Sequence, residues 1–139
     1  MKRVRLIQEE LNDPWQMLVA CIMLNRTKGT VVRRVLWRVL ARYDTPEKMS
    51  RARHRKLSSM LEELGLQNIK AARLIAMSKA YGDVAIEDLP GIGKYATDSW
   101  QIFIEKKLPV KPDDKQLKLY LARKRRFLAK LVTEPNGES

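Results

Sequence analysis

The sequence predicts an all-α fold, on three observations: apolar residues recur at three- and four-residue intervals, glycine is scarce, and prolines stand at the ends of those runs. No strand-like alternation of useful length interrupts the pattern. Asp13-Pro14 opens the first clear helix, with Asp as N-cap and Pro in the first turn, and its apolar face runs through Trp15, Leu18, Val19 and Ile22 to about Leu24. Asn25 to Gly29 reads as a loop. The next helix takes Thr30 to Tyr43, burying Val31, Val35, Leu36 and Val39 or Leu40 and leaving Arg33, Arg34, Arg38 and Arg42 wet.

Asp44-Thr45-Pro46-Glu47 repeats the cap-and-proline signal for a short helix, and Leu57 to Leu64 forms another that Gly65 ends. A helix from about Asn68 carries Ala71, Ala72, Ile75 and Ala76 and stops near Tyr81-Gly82. Leu89 to Gly93 forms a tight hairpin between a short helical turn and a helix from Lys94 to about Glu105. After the Pro109 and Pro112 loop, the last helix starts at Asp113-Asp114 and runs through Leu117, Tyr120, Leu121, Phe127 and Leu128. Residues 1–134 read as one domain and 135–139 as a flexible tail.

Composition narrows the partner. Twenty-eight Lys and Arg against sixteen Asp and Glu give a net charge of +12 and a pI near 10.1, the electrostatic footprint of a nucleic-acid binder. No segment approaches the roughly 18 apolar residues of a membrane span. The basic segment Met1-Lys2-Arg3-Val4-Arg5-Leu6-Ile7-Gln8 lacks the apolar core and cleavage site of a signal peptide, so an intracellular protein is expected, nuclear in a eukaryote and cytoplasmic in a prokaryote or virus. The single cysteine, Cys21, reads as a core residue, and one thiol cannot hold a four-cysteine iron–sulfur cluster. No His, Cys and carboxylate grouping has zinc spacing, and His54, among Arg51, Arg53, Arg55 and Lys56, reads as surface.

The motif that carries chemistry is Leu89-Pro90-Gly91-Ile92-Gly93-Lys94-Tyr95 followed by Pro112-Asp113-Asp114. Gly91 makes the turn, Gly93 lets a partner approach the backbone closely, and the amides that follow open a helix whose N-terminal end favours phosphate. One of the two aspartates is the N-cap of the last helix. Asp114 places Leu117 and Leu121 at i+3 and i+7, which fixes it relative to the buried face and makes it the candidate working acid, with Asp113 its solvated neighbour.

On these residues the chain resembles the helix-hairpin-helix DNA glycosylase superfamily of base-excision repair, and within it the thymine glycosylase domains of methyl-CpG-binding glycosylases. Further similar segments occur in the family's order: Leu6-Ile7-Gln8-Glu9 with Asp13-Pro14-Trp15, Leu24-Asn25-Arg26-Thr27, Leu64-Gly65-Leu66, and Asp98-Ser99. The resemblance implies a two-lobed fold without an iron–sulfur cluster, with the cleft between a helical bundle and the hairpin region. It makes Asp114 the catalytic carboxylate and Gln8 the reader of a flipped pyrimidine, and it makes Arg26, between Asn25 and Thr27, a wedge into the minor groove. Leu66 becomes a second plug, and Gly91, Gly93 and Lys94 become backbone contacts. Tyr95 stands where lyase-competent relatives carry a lysine nucleophile, which implies a monofunctional enzyme.

The activity so implied is excision of thymine or uracil from G·T or G·U mismatches in double-stranded DNA, by a monomer that needs no cofactor beyond a monovalent cation at the hairpin carbonyls. Lys115 in place of the family's usual histidine, and the basic run Arg123-Lys124-Arg125-Arg126 in place of an aromatic-rich ending, bear on substrate preference. Two alternatives stand beside it. One is a glycosylase for another damaged base, and the other is a catalytically silent helix-hairpin-helix module, which would need the charge and the glycines but not Asp114, Tyr95 or Arg26. Steeply salt-dependent duplex binding would separate both DNA-directed readings from a basic protein with no nucleic-acid partner.

Overall fold

The structure, a computed structural model, describes residues 5–11, 13–106 and 111–133. The segments 1–4 and 135–139, the latter expected as a tail, lie outside the described residues, as does Pro109. Eight α-helices appear among them: α1 (Ile7–Glu10), α2 (Pro14–Leu24), α3 (Gly29–Arg42), α4 (Pro46–Ser50), α5 (His54–Met60), α6 (Gln67–Ala80), α7 (Lys94–Ser99) and α8 (Lys115–Thr133). Short 3-10 turns at Glu62–Leu64 and Ile86–Asp88 and a π-helical turn at Trp100–Ile104 complete the set. The described residues contain no strand, and no helix among them is long and apolar enough to cross a membrane.

The centre of the molecule is α2, because its sequence leaves no polar face: Trp15 and every residue from Met17 to Met23 are buried. It packs against α3 and α6 on one side and α1, α7 and the π turn on the other. Trp15 could not be buried with its indole N–H unpaired, and it donates to the Ser78 hydroxyl on α6 at 3.0 Å. The start of α2 is fixed locally, since the Asp13 carboxylate accepts the Gln16 amide at 3.0 Å. Asp13→Ala should therefore cost about 1 kcal/mol and lower the melting temperature by about 3 °C, readable by thermal denaturation. Thr45 caps α4 in the same way through the Lys48 amide.

Several expected boundaries shift. Helix α3 starts at Gly29 and buries Val35, Leu36, Val39 and Leu40 as expected, with Val32 in place of the partly covered Val31. The element expected over 57–64 starts at His54 and breaks at Leu61 into the 3-10 turn, which Gly65 ends with φ +72°. The buried stripe of α6 is Lys70, Ala71, Leu74, Met77 and Ser78, while Ala72 is exposed and Ile75 and Ala76 are half-buried. The helix after the hairpin widens at Trp100, where the Glu105 amide bonds the Trp100 carbonyl five residues back. Phe103 on that turn stacks at 4.7 Å against Tyr120, which with buried Leu117 and Leu121 docks α8.

Candidate nucleic-acid interface and active site

One cleft of about 1090 Å³ gathers residues that lie far apart in the chain. Its walls come from α1 (Gln8), the end of α2 and its following loop (Cys21, Asn25, Arg26, Thr27), α6 (Arg73), the hairpin (Gly91, Gly93, Lys94, Tyr95) and the start of α8 (Asp114). Among the residues given a catalytic, base-reading or DNA-contact role from sequence, only Leu66 stands outside the lining. It sits on the adjoining loop, exposed, at the entry to α6.

Asp114 is the residue that caps α8. Its Oδ2 accepts the Leu117 amide at 3.0 Å, and its carbonyl accepts the Lys118 amide at the same distance. The cap holds one carboxylate oxygen, and the half-buried side chain still faces the cleft. Asp113 is exposed and lies outside it. The aspartate expected from sequence to be the working acid is thus the one that caps α8.

Facing Asp114 is a polar cluster on the cleft floor. The Gln8 amide nitrogen donates to the Tyr95 hydroxyl at 2.6 Å and to the Ser99 hydroxyl at 3.2 Å. Gln8 is 3% exposed, so the surface glutamine that a short first helix could have carried is ruled out. Burial, reinforced by the neighbouring Cys21 and Asp114, pushes the Tyr95 hydroxyl well above the usual tyrosine value and keeps it protonated. Cys21 belongs to the core, as expected, yet its thiol also reaches the cleft floor and contacts Ser99. Burial first, and the Asp114 charge last, push it up to about 12, so it is an inert thiol.

The hairpin is held from two sides. The Ile92 amide closes the turn on the Leu89 carbonyl at 3.2 Å, with Gly91 at φ +78°. Lys94 bonds the nine-tenths-buried Asp98 carboxylate at 2.8 Å and the Lys111 carbonyl at 3.1 Å, and lies 3.7 Å from Asp113. It therefore ties the start of α7 to the loop that delivers Asp114. At Gly93 an added Cβ would meet nothing within 4 Å, so the backbone there is open to a partner. At the hairpin the Leu89 carbonyl accepts the Ile92 amide, and among the described residues no three His, Cys, Asp or Glu side chains could hold a metal ion.

Sequence reasoning gave no part in the site to Ser99, Asp98, Cys21, Arg73 or Lys70. Two of these had a signal: Tyr95 with Ser99, and Lys94 with Asp98, are i,i+4 pairs on one helix.

The HhH-GPD superfamily of base excision DNA repair proteins matches residues 19–130. The chain belongs to this superfamily. Among curated HhH-GPD relatives, the "Methyl-CpG-binding domain protein 4-like protein" of Arabidopsis thaliana is 30% identical over 120 residues, covering 83% of this chain and 27% of that protein. The "Thymine-DNA glycosylase" of Aeropyrum pernix is 32% identical over 93 residues, covering 60% of this chain and 42% of that one. The chain thus spans about a quarter of the first relative's length and about two fifths of the second's. A solved thermostable thymine-DNA glycosylase superposes with a TM-score of 0.69 at 24% identity, covering 77% of this chain and 54% of its own. An endonuclease III solved as a DNA complex gives 0.68 at 20% identity, covering 81% and 56%. These two likenesses carry the HhH-GPD fold.

Proposed function

We propose that this chain is a monofunctional DNA glycosylase that flips thymine or uracil out of G·T and G·U mismatches and hydrolyses its N-glycosidic bond, leaving an abasic site. The observation that carries this reading is the pairing across one cleft of the Asp114 carboxylate with a neutral Tyr95 hydroxyl where lyase-competent relatives carry lysine. The named activities of the curated relatives support the substrate class.

Breaking the bond between C1′ and the pyrimidine N1 builds positive charge on the sugar. A carboxylate beside C1′ stabilises that charge. Water adds to C1′, the base leaves with the electron pair of the broken bond and takes up a proton, and Asp114 accepts the proton released by the water. Tyr95 has no amine, so no Schiff base forms and the strand stays uncut. Gln8 supports the base: both its partners are hydroxyls, which donate or accept, so its amide can turn over without losing either bond and can present an acceptor to N3–H or a donor to a carbonyl.

Flipping costs a few kcal/mol, least at a mismatch, and leaves a gap in the stack. Arg26 and Leu66 are the side chains that would fill it. The hairpin backbone at Gly91 and Gly93, with the +12 charge behind it, would hold the phosphates. The test is a panel of end-labelled duplexes carrying one G·T, G·U, A·U or fully paired site. Cleavage should appear at the mismatched pyrimidine only after alkali, and borohydride should trap no protein–DNA adduct. A trapped adduct would remove the monofunctional assignment, and an uncut panel would remove the glycosylase.

A further inference from the structure

Lys70 is completely buried, and its ammonium reaches no carboxylate among the described residues. Its three hydrogen-bond acceptors are neutral oxygens: the Met23 carbonyl at 2.8 Å, the Thr27 hydroxyl at 2.6 Å and the Leu64 carbonyl at 3.4 Å. The Thr27 hydroxyl in turn bonds the Leu64 carbonyl at 2.7 Å. Burial alone pulls the lysine down to about 8, the mark of a charge held without a counter-ion, and at neutral pH it still offers three N–H donors to three acceptors.

These acceptors bracket the two residues proposed as wedges. Met23 and Thr27 flank Arg26, and Leu64 precedes Leu66, whose carbonyl also accepts the Lys70 backbone amide at 2.9 Å. Arg26 and Leu66 are themselves unusual, since both are non-glycine residues in the left-handed region, at φ +56° and +52°. That conformation is strained and persists only where its surroundings hold it. A buried cation is also costly without a full set of partners.

We infer that Lys70 is a positioning residue that clamps the loops at residues 25–27 and 64–66 into one rigid unit, so that Arg26 and Leu66 enter the DNA stack together. Two costly features, a buried unpaired cation and paired backbone strain, then serve one geometry. Lys70 does not line the cleft and touches no reacting atom. The inference rests on the glycosylase reading above, and its test separates the two.

The test uses the Asp114→Asn protein, expected to bind without cutting, and a G·T duplex with 2-aminopurine next to the thymine, whose fluorescence rises on unstacking. Lys70→Met keeps the length of the buried stem, and Thr27→Val removes the shared hydroxyl while keeping its shape. Lys70→Met should bind the duplex within about threefold of the parent, and both variants should lose the fluorescence rise at saturation by about tenfold, because the flipped population depends on a correctly held wedge. A fold defect alone would lower melting temperature and binding together, and if Lys70→Met fails to fold, Thr27→Val decides. A full fluorescence rise in the variants overturns the clamp. No rise in the parent itself overturns the base-flipping reading, and the clamp with it.

Discussion

Asp114→Asn is expected to leave duplex binding within about twofold and to slow base release by about 10²–10³-fold, the scale seen when a charge-stabilising group is removed from an active site. The structure makes this substitution unusually clean. Asp114 caps α8 through the Leu117 amide, and asparagine is as good an N-cap as aspartate, so the helix start survives. On the proposed mechanism, what disappears is the negative charge beside C1′ and the base that takes the water's proton. Stability should stay within about 0.5 kcal/mol of the parent, whereas Asp114→Ala would lose the cap and cost about 1 kcal/mol besides. Single-turnover excision, equilibrium binding and thermal melting on the two variants separate chemistry from folding. Unchanged excision in Asp114→Asn would take this aspartate out of the mechanism.

Gly91→Ala should be the most damaging change in the hairpin. At φ +78° any L side chain is strained, and the new Cβ would lie 2.9 Å from the Arg73 Cβ and 3.1 Å from its Cγ. The nearer atom is fixed to the α6 backbone and cannot swing aside. The hairpin must therefore move off α6, at a cost of about 2–3 kcal/mol and a fall in melting temperature of about 5–10 °C. Because the same turn positions the α7 amides, duplex affinity should fall at least about tenfold, which corresponds to about 1.4 kcal/mol. Gly93→Ala is the matched comparison, with an ordinary φ of −107° and open space around the added Cβ. Its melting temperature should hold. Any loss of DNA affinity it shows would report the close approach of a partner to that backbone. Equal melting of Gly91→Ala and the parent would contradict the packing argument.

How far the sequence could be read depended on how local each cause was. Helix starts at Asp13, Thr45 and Asp114 are set by a side chain and an amide three residues away, and all three were legible. So were the all-helical class, the superfamily and the convergence of the hairpin with Asp114. The phase of α6 was not, because its apolar stripe includes Lys70, a residue that periodicity counts as polar. Read as i, i+4 and i+7, Lys70, Leu74 and Met77 do share a face, but only the acceptors at Met23, Thr27 and Leu64 make a lysine tolerable there. Gln8 lay on a single turn too short to show a periodicity, and its burial depends on Tyr95 and Ser99 nearly ninety residues away. The widening at Trp100, in a turn that packs on α2 and against Tyr120 of α8, has no signature in the local pattern.

The most direct test of the central claim is to incubate the protein in excess with a G·T duplex, without alkali, and quantify free base and intact strand by chromatography. Free thymine should appear in an amount equal to the substrate consumed, while the strand stays whole and carries an abasic site. A duplex that is tightly bound and releases no thymine or, in the G·U counterpart, no uracil would contradict the account and leave a DNA-binding module in its place.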